Sequence, residues 1–131
     1  MACPDDKKDF FETLLPLIRP MTARLALNED LILALSAFEN RWGQDAHNKV
    51  LHNLFGLTHA GGKNLSFPTD QACVTYFENL YGTRIRGIQA LEPFIEAMKR
   101  IGYNSVNKKY YDTFRAVYAS VLRYKAGCGV K

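Results

Sequence analysis

The stretch from Leu31 to Gly43 reads Leu-Ile-Leu-Ala-Leu-Ser-Ala-Phe-Glu-Asn-Arg-Trp-Gly, and seven of its first eight positions are apolar. Such density predicts a helix buried nearly all round. Glu39 closes the apolar run. On a helical wheel it lies between Ile32 and Leu35, with Trp42 three residues on, so it shares the face that enters the core. Asn28 is a suitable N-cap for this helix, Glu29 and Asp30 complement its positive end, and Gly43 is placed to stop it.

The remaining pattern predicts an all-α chain around this central helix. Pro4 and the acids after it suit the first turn of a helix running to about Ile18, with Pro16 and Pro20 making its end irregular. Residues 44–68 carry Gly56, Gly61, Gly62 and Pro68 with little periodicity. They read as one long irregular segment, and loops of that length in compact domains tend to be functional. Thr69 caps a predicted helix from Asp70 to about Tyr81 that Gly82 ends. Another is predicted from about Gly87 to Arg100, with Pro93 near an early turn. Gly102 separates it from a last helix, roughly Asn107 to Lys125. There Tyr110, Tyr111, Phe114, Val117, Tyr118, Val121 and Leu122 recur at helical spacing, mostly as core. The chain contains no internal repeat and no low-complexity tract.

The 131 residues fit one domain, and 47% hydrophobic with 23% charged residues is globular composition rather than disorder. No apolar run reaches the ~18 residues needed to span a bilayer. The first residues lack the basic start and apolar stretch of a secretory signal, so the chain reads as made in the cytoplasm. Charge is uneven: residues 1–81 hold 7 Lys/Arg against 10 Asp/Glu, and residues 82–131 hold 10 against 3. The basic half suits a polyanionic surface such as a bacterial wall. The bases are not interleaved with stacking aromatics and match no nucleic-acid module, which argues against nucleic acid as partner. Cys3 and Cys128 lie near the two termini, and termini are often close, so a bridge between them is permitted in an oxidising compartment. Cys73 sits in an apolar run and reads as core.

Glu39 carries the chemistry. Desolvation and the negative end of the helix dipole both favour its neutral form. A carboxylic acid kept protonated near neutral pH is the proton donor that glycosidic cleavage needs. The competing reading is a carboxylate that snorkels outward or pairs with Arg41. A second carboxylate is harder to find: between Phe55 and Thr69 there is no Asp or Glu. Asp70 and Asp45 are the nearest candidates for a water-positioning base. Their remoteness also permits assistance by the 2-acetamido group of an N-acetylated sugar. His47, His52 and His59 match no zinc spacing, so no metal and no cofactor is expected. Every His precedes Cys73, which argues against a papain-like peptidase. No Gly-x-Ser-x-Gly or phosphate-binding glycine loop is present.

Three motifs stand in order: Glu39-Asn40-Arg41-Trp42-Gly43, Asn53-Leu54-Phe55-Gly56, and Gly102-Tyr103-Asn104-Ser105. From about Leu31 to Tyr124 the chain resembles the bacterial peptidoglycan N-acetylglucosaminidases of glycoside hydrolase family 73. The third motif departs from the family pattern, with Val106-Asn107 in place of Asp-Pro. The resemblance implies an α-rich, lysozyme-like fold and a small lobe at 44–68 closing over a wall glycan. It also implies Glu39 as general acid, Tyr103 orienting the acetamido group, and Trp42, Asn53 and Phe55 as sugar contacts. A lytic transglycosylase, a muramidase, and a non-catalytic glycan-binding domain on a decayed lysozyme fold are the rival readings. The compact, signal-free chain also resembles the wall-degrading effectors of type VI secretion. That implies action in the periplasm of a target cell without membrane insertion, and a cognate immunity protein that blocks the cleft. Basic residues at the cleft, Arg84, Arg86 or Lys63, would favour an acidic inhibitor.

Overall fold

In the computed structural model, residues 2–59, 62–104 and 109–131 are described. They form six α-helices: α1 (Asp5–Leu25), α2 (Glu29–Glu39), α3 (Ala46–Leu51), α4 (Asp70–Ile85), α5 (Leu91–Ile101) and α6 (Tyr110–Gly127). A 3₁₀ turn, Arg41–Gly43, follows α2. Among the described residues the only β pairing is an isolated antiparallel bridge between Thr58 and Asn64. The chain is therefore all-α, as the hydrophobic pattern predicts.

Helix α2 is the centre. Every residue from Leu31 to Ala37 is buried, because α6 and α1 both pack on it. The Asn28 side chain accepts from the Asp30 amide at 2.9 Å, so the expected cap forms. Lys125 of α6 then reaches Glu29 at 3.2 Å and Asp30 at 2.6 Å. These contacts hold the acids at the positive end of the helix, where they are favourable. Helix α4 packs on α1 and α5 packs on α4, and the buried side chains join in one connected core.

Several boundaries depart from the sequence reading. Helix α1 does not end near Ile18; it runs to Leu25 with Pro16 and Pro20 inside. Both prolines lie on the exposed face, where water can satisfy the carbonyls that lose their amide partners. Helix α2 stops at Glu39 rather than Gly43, because Arg41 and Trp42 adopt positive φ. The segment 44–68 is not wholly irregular: Asp45 caps the short helix α3, accepting from the Asn48 amide at 3.0 Å. Helix α4 continues through Gly82, which is buried and lets α1 approach, a Cβ there standing 3.2 Å from Leu25. Helix α5 begins at Leu91, with Pro93 in its first turn. Gly102 ends α5 at φ +76°. The expected start of the last helix at Asn107 lies outside the described residues; α6 is described from Tyr110.

A disulfide joins Cys3 to Cys128, closing the chain on itself across 125 positions. Cys73 is a buried free thiol, its pKa pushed up to about 11 chiefly by burial. It accepts from the Leu54 amide at 3.4 Å.

Candidate active site

Glu39 occupies the last position of α2, half-buried. Its pKa is raised to about 7 by burial, with the Tyr110 hydroxyl opposing in part. Among the described residues no basic side chain pairs with it, Arg41 included. Leu31, Ile32, Leu33 and Leu35 lie on the same helix, each 1% exposed or less. Burying such side chains stabilises by about 1.5–3 kcal/mol apiece. Together they offset the cost of keeping one carboxyl out of water.

The wall facing Glu39 is the loop that carries Asn53-Leu54-Phe55-Gly56. Four anchors fix it. The Asn53 amide donates to the carbonyls of Leu57 at 2.8 Å and Leu65 at 3.0 Å, and its oxygen accepts from the Leu57 amide at 2.9 Å. Ser36 of α2 donates to the Leu54 carbonyl at 2.8 Å. The Phe55 ring lies fully buried against Phe77, centroids 4.6 Å apart. The Tyr103 hydroxyl donates to the Phe55 carbonyl at 2.7 Å. The loop is thus preorganised before any ligand arrives.

What these anchors deliver is Gly56. It adopts φ +63°, and a Cβ there would stand 2.6 Å from a Glu39 carboxyl oxygen. Only glycine combines that φ with so close an approach. Gly56→Ala is expected to displace the Glu39 carboxyl and to cut any activity that depends on it at least about tenfold, since small misplacements at a reacting group are costly. Full activity with an unshifted Glu39 in the variant's crystal structure would contradict this.

Tyr103 follows Gly102 and stacks obliquely on Tyr81, centroids 5.4 Å apart. Burial raises its hydroxyl pKa well above the usual value, and nearby Tyr110 and Glu39 add to that. It therefore stays a neutral donor. Tyr110 lies beside Glu39, and burial likewise pushes its pKa up. The Tyr110 hydroxyl is buried beside the Glu39 carboxyl and draws that carboxyl's pKa down against the effect of burial. The sequence reading assigned both Tyr110 and Tyr111 to the core stripe; their adjacency with no residue between is the only sequence hint that one hydroxyl turns toward Glu39.

The other sequence-derived candidates are held by structural partners. Asp70 pairs with His52 Nδ1 at 2.9 Å, and Asp45 caps α3. Trp42 is wedged between α1 and α6, its ring edge-on to Phe10 at 5.1 Å and Tyr124 at 5.6 Å, with Lys7 Nζ 4.6 Å from its centroid. Asn53 and Phe55 support the loop from inside, both fully buried. The structure thus brings Glu39, Gly56, Tyr103 and Tyr110 together and spends Trp42, Asn53, Phe55 and Asp70 on holding the frame. Among the described residues, no three His, Cys, Asp or Glu side chains group as metal ligands.

A cavity of about 350 Å³ opens between α1, α3 and the 3₁₀ turn, lined by Ser36, Asn40, Asn48 and Asp70 among others but not by Glu39. It lies behind the Glu39 backbone: Asn48 donates to the Glu39 carbonyl at 3.2 Å and accepts from Asn64 at 2.7 Å. The Glu39 carboxyl instead meets Gly56 on the loop wall.

No protein-family model and no curated protein matches the sequence. The fold is similar to that of a chain in the structure of a type VI secretion system effector–immunity complex from Pseudomonas protegens, with TM-score 0.81, 23% identity, 95% of this chain covered and 97% of that one. At that identity the likeness establishes a shared fold along nearly the whole of both chains.

Proposed function

We propose that the chain is a peptidoglycan glycosidase, of the N-acetylglucosaminidase type, that serves as an antibacterial effector toxin. The observation carrying this reading is Glu39, a carboxyl whose pKa stands at about 7, against a preformed loop that leaves it room only through Gly56. Near neutral pH it holds a proton on much of the population. It can give that proton to a leaving glycosidic oxygen, which is general acid catalysis.

Asp45 and Asp70 are each committed to a local partner. That favours attack by the substrate's own 2-acetamido oxygen on the anomeric carbon over a protein base. The C–O bond to the leaving sugar breaks as Glu39 protonates it, and the new bond forms from the acetamido oxygen. Water then opens the resulting ring, returning its proton to Glu39. Tyr103 acts in this scheme as a positioning residue, holding the Phe55–Gly56 backbone against the acid.

The fold supports the biological half of the proposal. A chain of an effector–immunity complex is either toxin or antidote, and a buried proton donor suits the toxin. A toxin of this kind requires an immunity protein that covers Glu39. Among the described residues no helix is long and apolar enough to cross a membrane. The test is expression in a Gram-negative host. Directed to the periplasm the protein should lyse cells, and retained in the cytoplasm it should be tolerated. Equal toxicity in both compartments would refute a wall substrate.

A further inference from the structure

Away from Glu39, a second depression of about 480 Å³ is lined by Arg84, Arg86, Ile88, Ala97, Arg100 and Ile101. The three arginines come from the end of α4, the α4–α5 connection and the end of α5. All three are exposed, and none joins an ion pair with a carboxylate among the described residues. Arg19, Arg24 and Arg115, by contrast, each hold a carboxylate. Three like charges around one hollow repel within a Debye length. The hollow's floor is apolar: Ile88, Ala97 and Ile101. Arg86 is set in place by donating to the Arg24 carbonyl at 3.0 Å.

The groove lies beside Tyr81, which stands three residues before Arg84 on α4. Tyr81 contacts the Tyr103 ring, and Tyr103 holds the Phe55 carbonyl beside Gly56 and Glu39. Guanidinium groups bind carboxylates through paired hydrogen bonds. An apolar floor beside them accommodates a methyl group.

We propose that this basic groove is a subsite for the terminal carboxylate of a short peptide ending in a small apolar residue. Peptidoglycan carries such alanine-terminated peptides along its glycan. The inference rests on the wall reading of the neighbouring cleft, and a peptide attached to the glycan would reach the groove past Tyr81 and Tyr103. It selects peptide-bearing strands over bare ones and orients the strand before cleavage.

The test uses the full disulfide-bonded protein and a fluorescent synthetic peptide, L-Ala–D-Glu–L-Lys–D-Ala–D-Ala, as free acid and as C-terminal amide. The acid should bind at least about fivefold more tightly than the amide, and added salt should weaken it. The double variant Arg84→Ala/Arg100→Ala should lose at least about tenfold in peptide binding with little change in melting temperature, because both side chains are exposed and neither holds a carboxylate among the described residues. The same variant should digest peptide-stripped glycan like the wild type but intact wall more slowly. Equal binding of acid and amide, or of wild type and variant, would overturn the subsite. So would capture of an acidic protein that leaves the peptide unbound, which would make the groove a protein-docking face. Titration requires no bond cleavage, so missing peptide binding counts against the subsite alone. A wild type that digests neither wall nor bare glycan counts against the glycosidase.

Discussion

Glu39→Gln is expected to reduce wall hydrolysis by at least about 10²-fold, since the amide has no acidic proton to donate, and yet to yield a protein more stable than the wild type at pH 8. Both effects arise from burial. The carboxyl titrates at about 7 in the fold against an ordinary value of 4.5. Between those values the folded state binds more protons than the unfolded chain. Stability therefore falls as pH rises through that window, and above it the fold carries a penalty of about 3 kcal/mol. Gln is nearly isosteric and uncharged, so it escapes the penalty. At pH 4 the two proteins should have nearly equal stability. The wild-type rate should fall as pH rises through about 7, because the acid form is the active one. Urea titrations at pH 4 and pH 8, with digestion of purified walls, check both halves. A variant that is inactive but destabilised at pH 8 would place Glu39 in the frame rather than in the chemistry.

Removing the bridge by Cys3→Ser with Cys128→Ser is expected to lower stability by about 5 kcal/mol, the chain-entropy value for so long a loop. Its effect should fall at the start of α1 and the end of α6, the two helix ends that the bridge ties together. The same loss should follow treatment of the wild type with reductant. Thiols stay reduced in the cytoplasm and oxidise in the periplasm, so the protein gains this stability only where its proposed substrate lies. Denaturant midpoints measured with and without reductant test it; coincident curves would show that the bridge adds nothing.

Much of the architecture was legible because it rests on short-range chemistry. Asn28, Asp45 and Thr69 each cap a helix through their own side chains, although the helix that Asp45 starts went unforeseen. The apolar run at Leu31 predicts a central helix, and it is central. Pro16 and Pro20 misled, because a proline's cost depends on whether water reaches the freed carbonyls, which is a property of the fold. Gly82 misled for a related reason: it permits close approach of α1 instead of ending α4.

The candidate site was legible at Glu39 and only partly elsewhere. The motif Asn53-Leu54-Phe55-Gly56 lies against Glu39, but its residues divide the labour unexpectedly. Asn53 and Phe55 face inward to hold the loop, and Gly56 meets the acid. That division depends on backbone φ and on which face meets α4, neither of which sequence spacing encodes. Trp42 shares the apolar wheel position of Glu39, yet positive φ at Arg41 and Trp42 breaks the helix and turns the ring toward Phe10. Tyr110 was hidden by its own periodicity, since a core tyrosine and one whose hydroxyl faces a carboxyl have the same spacing.

The most direct measurement is the chemistry of the cut itself. Purified peptidoglycan is digested with the wild-type protein, and the soluble fragments are reduced with borohydride and sequenced by mass spectrometry. Glucosaminidase action predicts fragments whose new reducing end is N-acetylglucosamine, and none from the Glu39→Gln variant. New ends bearing N-acetylmuramic acid or its 1,6-anhydro form, or no fragments at all from a folded, disulfide-bonded protein, would contradict it.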